Sequence, residues 1–219
     1  MRRAGRPAFV SQPAKRDWVE LAATVLLALA AVATAWSSYQ AARWNGEQAK
    51  ASAATNKARI EAARASDLAN AQTEIDVATF TQWVDAFARG ERFLTNFYRE
   101  RFREEFKPAV NAWIASRPLR NPDAPLTPFA MPQYRLAARA EAARLDARAE
   151  ELSAQVRRNI QRSTNYVLGV VLFAVALFFA AMSTKLTTPH LRTAALALGA
   201  LVFFVAFVWI VTSPVSLSV

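Results

Sequence analysis

The chain has 219 residues, 53% of them hydrophobic, and a formal net charge of +10. It contains no cysteine and one histidine, His190, which excludes disulfides, thiolate nucleophiles, cysteine-ligated metals and multi-histidine metal sites. Its basic residues flank apolar runs or alternate with acids; that arrangement suits orientation in a bilayer, not a one-faced patch for nucleic acid, and no nucleic-acid partner is expected.

Apolar residues concentrate in 18–39 and 165–213, with most of the charge between them. This distribution predicts an all-α membrane protein with three transmembrane helices and a helical-hairpin or coiled-coil extramembrane domain inserted between the first and second. Residues 1–17 form a basic tail carrying Arg2, Arg3, Arg6, Lys15 and Arg16, expected on the cytoplasmic side. Residues 18–40 form the first span. About 20 apolar residues match a hydrocarbon core of about 30 Å. Trp18 at one end and Trp36, Tyr39 and Trp44 at the other suit the two interfaces. The basic tail, the apolar run and Ala33-Thr34-Ala35 also follow signal-peptide grammar; the preferred reading is an uncleaved signal anchor. Ser37, Ser38 and Gln40 fit interfacial positions better than a polar ring around a pore.

Residues 41–164 are expected to form the extramembrane helical domain. From 41 to 74 a helix continues the first span, with an alanine seam of Ala51, Ala54, Ala58, Ala62, Ala65 and Ala69 and large anchors at Ile60, Leu68 and Ile75. Alanine releases little surface on burial, so this helix needs close neighbours. From 75 to 107, Phe80, Trp83, Val84, Phe87, Leu94, Phe97, Tyr98, Phe102 and Phe106 recur at three and four, with a kink expected at Gly90. The stripe reads as core. Arg101 and Glu105, four apart, read as a solvated, ion-paired helix face. Asp76 and Asp85 lie close to the aromatic stripe, where burial would raise their pKa values. Prolines at 108, 118, 122, 125, 128 and 132 make 108–132 an ordered loop, with turn chemistry at Asn121-Pro122-Asp123. Its apolar residues Trp113, Leu119, Phe129 and Met131 are the candidate partner contacts. From 133 to 163, Ala138, Ala142, Leu145, Ala149, Leu152, Val156 and Ile160 follow coiled-coil spacing.

The second span is expected over 165–184, a link over 185–192, the third span over 193–213 and a tail over 214–219. The two spans form a hairpin, and Ala176, Ala180, Ala195 and Gly199 are the candidate helix-packing positions because small residues let backbones approach. With the amino terminus and link cytoplasmic, the long domain and Val219 lie outside. The expected place is a multi-pass position in a prokaryotic inner membrane.

No phosphate loop, H-E-x-x-H or G-x-S-x-G occurs. No catalytic, cofactor-binding or metal-binding residues are assigned, and no cofactor is expected. No ionisable residue stands in the middle of a span, which argues against a proton relay or charged transport site within one chain. The function expected is a non-enzymatic integral membrane protein that self-assembles, as a homo-oligomer in the lipid bilayer, or binds a protein partner through its helical domain. The alternative is a subunit of a homo-oligomeric channel with its pore between subunits.

Overall fold

The computed structural model describes residues 18–216, and every regular element in that range is helical. The helices are α1 (Trp18–Ala88), α2 (Arg92–Arg101), α3 (Lys107–Ala115), α4 (Ala137–Lys185) and α5 (Pro189–Val211), with a 3-10 turn at Pro128–Ala130. The expected basic tail, residues 1–17, and the last three residues lie outside the described range. Three helices, α1, α4 and α5, are long and apolar enough to cross a membrane.

α1 is long because nothing stops it: it holds no proline, and its one glycine, Gly46, adopts no unusual backbone angle. It ends at Ala88, just before Gly90, whose φ of +73° is the left-handed conformation that only glycine takes freely. Gly90 therefore terminates the helix outright, where a kink was expected. α2 then starts afresh and ends at Arg101, so Arg101 and Glu105 do not share a helix face. Arg101 instead lies over the Phe97 ring at 3.7 Å, and Glu105 turns to other partners. The expected loop over 108–132 is also shortened at its start, because α3 occupies Lys107–Ala115. Pro108 sits in the first turn of α3, where its missing N–H has no partner to lose. Between the second and third spans only 186–188 are non-helical, because Pro189 opens α5.

The chain divides into two compact units: residues up to Gln48 with those from Arg157 onward, and Ala49–Val156. In the first unit, a cluster of Leu26, Ala30, Phe173, Ala176, Ala180, Phe203, Ala206 and Ile210 joins α1, α4 and α5. Half of these residues are alanine, which lets the helix backbones approach closely. Large residues such as Leu21, Val32, Phe178, Phe204 and Val208 face outward, a surface suited to acyl chains. The polar residues are not distributed as a pore ring. Ser37 and Gln40 are fully buried inside this unit, and Gln40 Oε1 accepts a bond from Ser216 N at 3.0 Å. Trp44 Nε1 and the Tyr166 hydroxyl both donate to the Pro214 carbonyl, each at 3.2 Å. The segment after α5 is thereby fastened to α1 and α4.

In the second unit, α1 is buried at residues 51, 55, 58, 62, 69 and 76 and half-buried at 65 and 72, a series alternating by four and three. That mean period of about 3.5 differs from the alanine seam read from sequence. Thr55 replaces Ala54, with its hydroxyl bonded to the Ala51 carbonyl at 2.8 Å. Ile60, Leu68 and Ile75, expected as anchors, are 55%, 53% and 53% exposed because they fall off this stripe. On α4 the same alternation carries burial from Val156 to Asn159, which leaves Ile160 outside.

Candidate functional site

The densest packing in the Ala49–Val156 unit is aromatic. Phe80 and Trp83 on α1 meet Phe102 and Phe106 from the turn after α2, Val110 on α3, and the partly buried Trp113, Phe129, Met131 and Tyr134. Phe106 stacks on Phe129 at 5.0 Å, and Phe80 meets Phe106, Trp113 and Phe129 edge-on. Such edge and offset pairings contribute about 0.5–1.5 kcal/mol each beyond area burial. Phe80, Trp83, Phe102 and Phe106 of the expected stripe are thus core and fix the chain that follows α3, whereas Val84, Phe87 and Phe97 are exposed and stand outside it. Trp113 Nε1 donates to the Pro125 carbonyl at 2.7 Å, and Asp123 N donates to Asn121 Oδ1 at 3.1 Å, closing the expected turn.

A buried ion pair lies beside this core. The Asp76 side chain is 1% exposed. Its Oδ2 accepts from Arg103 at 2.9 Å and from the Tyr134 hydroxyl at 3.1 Å, while Oδ1 has no partner. Arg103 also pairs with Glu105, whose Oε1 accepts from Ala137 N at 3.1 Å. Glu105 therefore caps the first turn of α4 from a distant part of the chain, favourably placed against the helix dipole. Burial pushes the Asp76 carboxyl above its ordinary range, against the opposing pull of Arg103 and Tyr134. The Tyr134 hydroxyl is raised too, again chiefly by burial.

On another side of the aromatic core a half-open groove of about 500 Å³ lies among α1, α2, α3 and the turn after α3. Its apolar wall is Trp83, Val84, Phe87, Trp113 and Ile114, with Leu119 at the edge. Arg99, Arg117 and Arg120 supply its charge, and no acid lines it. Trp83 is 7% exposed, and its Nε1–H is buried without an acceptor. An unpaired buried donor costs about 1–3 kcal/mol.

The candidate contacts read from sequence separate here. Trp113, Phe129 and Met131 pack on the aromatic core, and only Leu119, 86% exposed, stands free on the loop. Leu126, an apolar residue of the same loop outside the candidate set, is 94% exposed. In the spans, a Cβ on Gly199 would lie 3.2 Å from the Ala176 carbonyl oxygen and 3.3 Å from Ala180 N, so these three positions meet. Ala195, one helical turn earlier on α5, is half-buried. Asp76 and Asp85 do not converge: nine residues apart on α1, they point about 180° from each other. Asp85 is exposed and pairs with Arg89. Asp76, read from sequence as lying beside the aromatic stripe where burial would raise its pKa, is buried and raised; its partners Arg103, Glu105 and Tyr134 escaped sequence reasoning.

Among the described residues no group of three or more His, Asp or Glu comes together. No family model, curated protein or solved structure matches the chain.

Proposed function

We propose that the protein is a non-enzymatic, membrane-anchored binding protein whose helical unit takes its occupant in the groove beside Trp83. The observation that carries this reading is the groove itself: preformed, aromatic-walled and lined by three arginines. Binding sites combine an apolar body with a few polar groups in this way. The groove holds no nucleophile paired with a base, which favours binding over turnover. The proposed orientation places the 186–188 link in the cytoplasm of a prokaryotic cell and the groove on the outer side.

The cysteine-free chain allows a direct test. Leu119→Cys puts a thiol at the groove edge, and Asp123→Cys puts one on the exposed turn nearby. With a membrane-impermeant maleimide, Asp123→Cys is expected to label in intact cells. Leu119→Cys is expected to be protected there and to label freely in purified protein in nanodiscs. Equal labelling of Leu119→Cys in both settings would remove the groove from consideration, and failure of Asp123→Cys to label would reverse the orientation.

A second reading, self-assembly through the helical unit, is supported by Ile60, Leu68 and Ile75. Their spacings of eight and seven residues place three large apolar side chains along one exposed stripe of α1. Copies anchored in one bilayer run parallel, so each stripe meets its own counterpart in coiled-coil fashion. Light scattering of the nanodisc-embedded chain is expected to give a multiple of the monomer mass, reduced to one copy by changing all three residues to Ser. A monomeric wild type sinks this reading and leaves the groove untouched.

A further inference from the structure

We propose that the groove binds a small amphipathic carboxylate, its acid held by Arg117 and Arg120 and its apolar body laid on Trp83, Phe87 and Trp113. The inference rests on the reading of the groove as the binding site and adds the chemistry of the occupant. Charge complementarity carries it. Three arginines line one crevice with no acid among them. Arg99 shares its charge with Asn111 Oδ1 at 3.3 Å. Arg117 and Arg120 have no side-chain hydrogen bond or ion pair among the described residues, although acids pair with arginines elsewhere in the same unit.

The backbone supplies a second argument. Arg117 has φ +52°, the only non-glycine residue with positive φ among those described. Its N–H donates to the Ile114 carbonyl at 3.0 Å, closing α3 in the manner usually given to glycine. An arginine held in that conformation costs stability relative to glycine, and it puts a cation at the groove. The size of the crevice fixes the rest. A volume of about 500 Å³ suits one ring or a short branched chain, not an extended macromolecular segment. The acid has one site of attraction and the apolar body has one wall, so a single carboxylate on an apolar body is the class that satisfies both.

The test uses the full chain in nanodiscs of zwitterionic lipid, with para-trifluoromethylphenylacetate followed by fluorine NMR. The matching alcohol, para-trifluoromethylphenethyl alcohol, is the neutral control. The acid is expected to bind at least about tenfold more tightly than the alcohol, the return of charge-assisted hydrogen bonds. Raising salt from about 0.05 M to about 0.5 M should weaken the acid and leave the alcohol unchanged. The double variant Arg117→Gly, Arg120→Gln should reduce the acid to the alcohol's affinity. It should also melt at or above the wild-type temperature, because glycine relieves residue 117, so the loss is not one of folding. Equal affinity for acid and alcohol, absence of acid binding, or acid binding unchanged in the double variant overturns the proposal. Displacement of the acid by anionic phosphatidylglycerol vesicles also overturns it, assigning the arginines to a lipid surface. Failure here with Leu119→Cys still protected in cells removes the carboxylate alone; loss of that protection removes the groove reading beneath it.

Discussion

Arg103→Met is expected to destabilise the helical unit by about 3–5 kcal/mol at neutral pH, the usual effect of removing one partner from a buried ion pair. Methionine keeps most of the apolar stem, so the loss isolates the guanidinium. Asp76 would then keep only the Tyr134 hydroxyl bond on Oδ2, with Oδ1 already unpartnered. Glu105, at the surface of the cluster, can take water in place of Arg103; Asp76 cannot. The effect has a pH signature. The Asp76 carboxyl is raised above the ordinary 3.8. Between that value and its folded value, the folded unit holds a proton that the unfolded chain releases. The stability from this group is therefore full below about 3.8 and falls as pH rises through the folded value. Removing Arg103 deletes an influence that pulls the carboxyl down, so the folded value rises further and the window widens. The variant's deficit should be largest at pH about 8 and shrink on acidification toward pH about 5. Adding Asp76→Asn to Arg103→Met should recover most of the loss at neutral pH and flatten the pH dependence. Unfolding followed by far-UV circular dichroism at the two pH values measures both. An equal loss at each pH would mean that Arg103 acts through packing and not through the Asp76 charge.

This cluster marks the boundary of what the sequence discloses. The three apolar helices are legible because the bilayer demands length and composition, and neither depends on a partner residue. The core of the aromatic stripe is legible because Phe80 and Trp83 repeat at the helical period, although the same period also picks out the exposed Phe87, and the turn at Asn121-Pro122-Asp123 because its side chain bonds its own backbone. The ion pair is not legible, because Asp76 and Arg103 are 27 residues apart and meet only after Gly90 breaks the helix. A second break, the end of α2 at Arg101, made Arg101 and Glu105 a false helical pair. Ile60, Leu68 and Ile75 were misplaced for another reason. Hydrophobicity suggested anchors, but close approach of two helices selects the smaller Ala58, Ala62 and Ala69 for the inner face and leaves large residues outside. The groove was only half visible: Trp113 and Leu119 stood in the proline loop, while Arg99, Arg117 and Arg120 had the look of ordinary solvated charge. Their convergence on one crevice is a tertiary fact.

The same preference for small residues gives the largest expected effect within the spans. Gly199→Val is expected to abolish most of the folded protein, while Gly169→Ala should be far milder. At Gly199 a Cβ would lie 3.2 Å from the Ala176 carbonyl oxygen, 3.2 Å from Phe179 Cβ and 3.3 Å from Ala180 N. Two of those atoms belong to the α4 backbone and cannot rotate away, so α5 must move outward as a body. Gly199→Ala should cost about 1–3 kcal/mol, and the two methyls of valine extend the clash along the interface. At Gly169 the nearest atoms are Ile210 Cδ1 at 2.5 Å and Cγ1 at 2.9 Å, the outer part of a side chain. That contact is closer but lies on a side chain, and Ile210→Ala, which deletes both atoms, should restore Gly169→Ala toward wild type. No such partner change should rescue Gly199→Val. Displacing α5 also has a remote consequence within the same unit. Pro214 and Ser216, just beyond α5, supply the groups that satisfy Trp44, Tyr166 and Gln40. Moving the helix strands those buried polar groups together, so packing loss and hydrogen-bond loss arrive as one event. The fluorescence of Trp44, read in a chain whose other tryptophans are replaced by Phe, should shift to the red in Gly199→Ala in parallel with its lowered melting temperature. A variant that melts like wild type, with Trp44 unshifted, would show that the hairpin tolerates separation and that the close approach at Gly199 holds nothing in place.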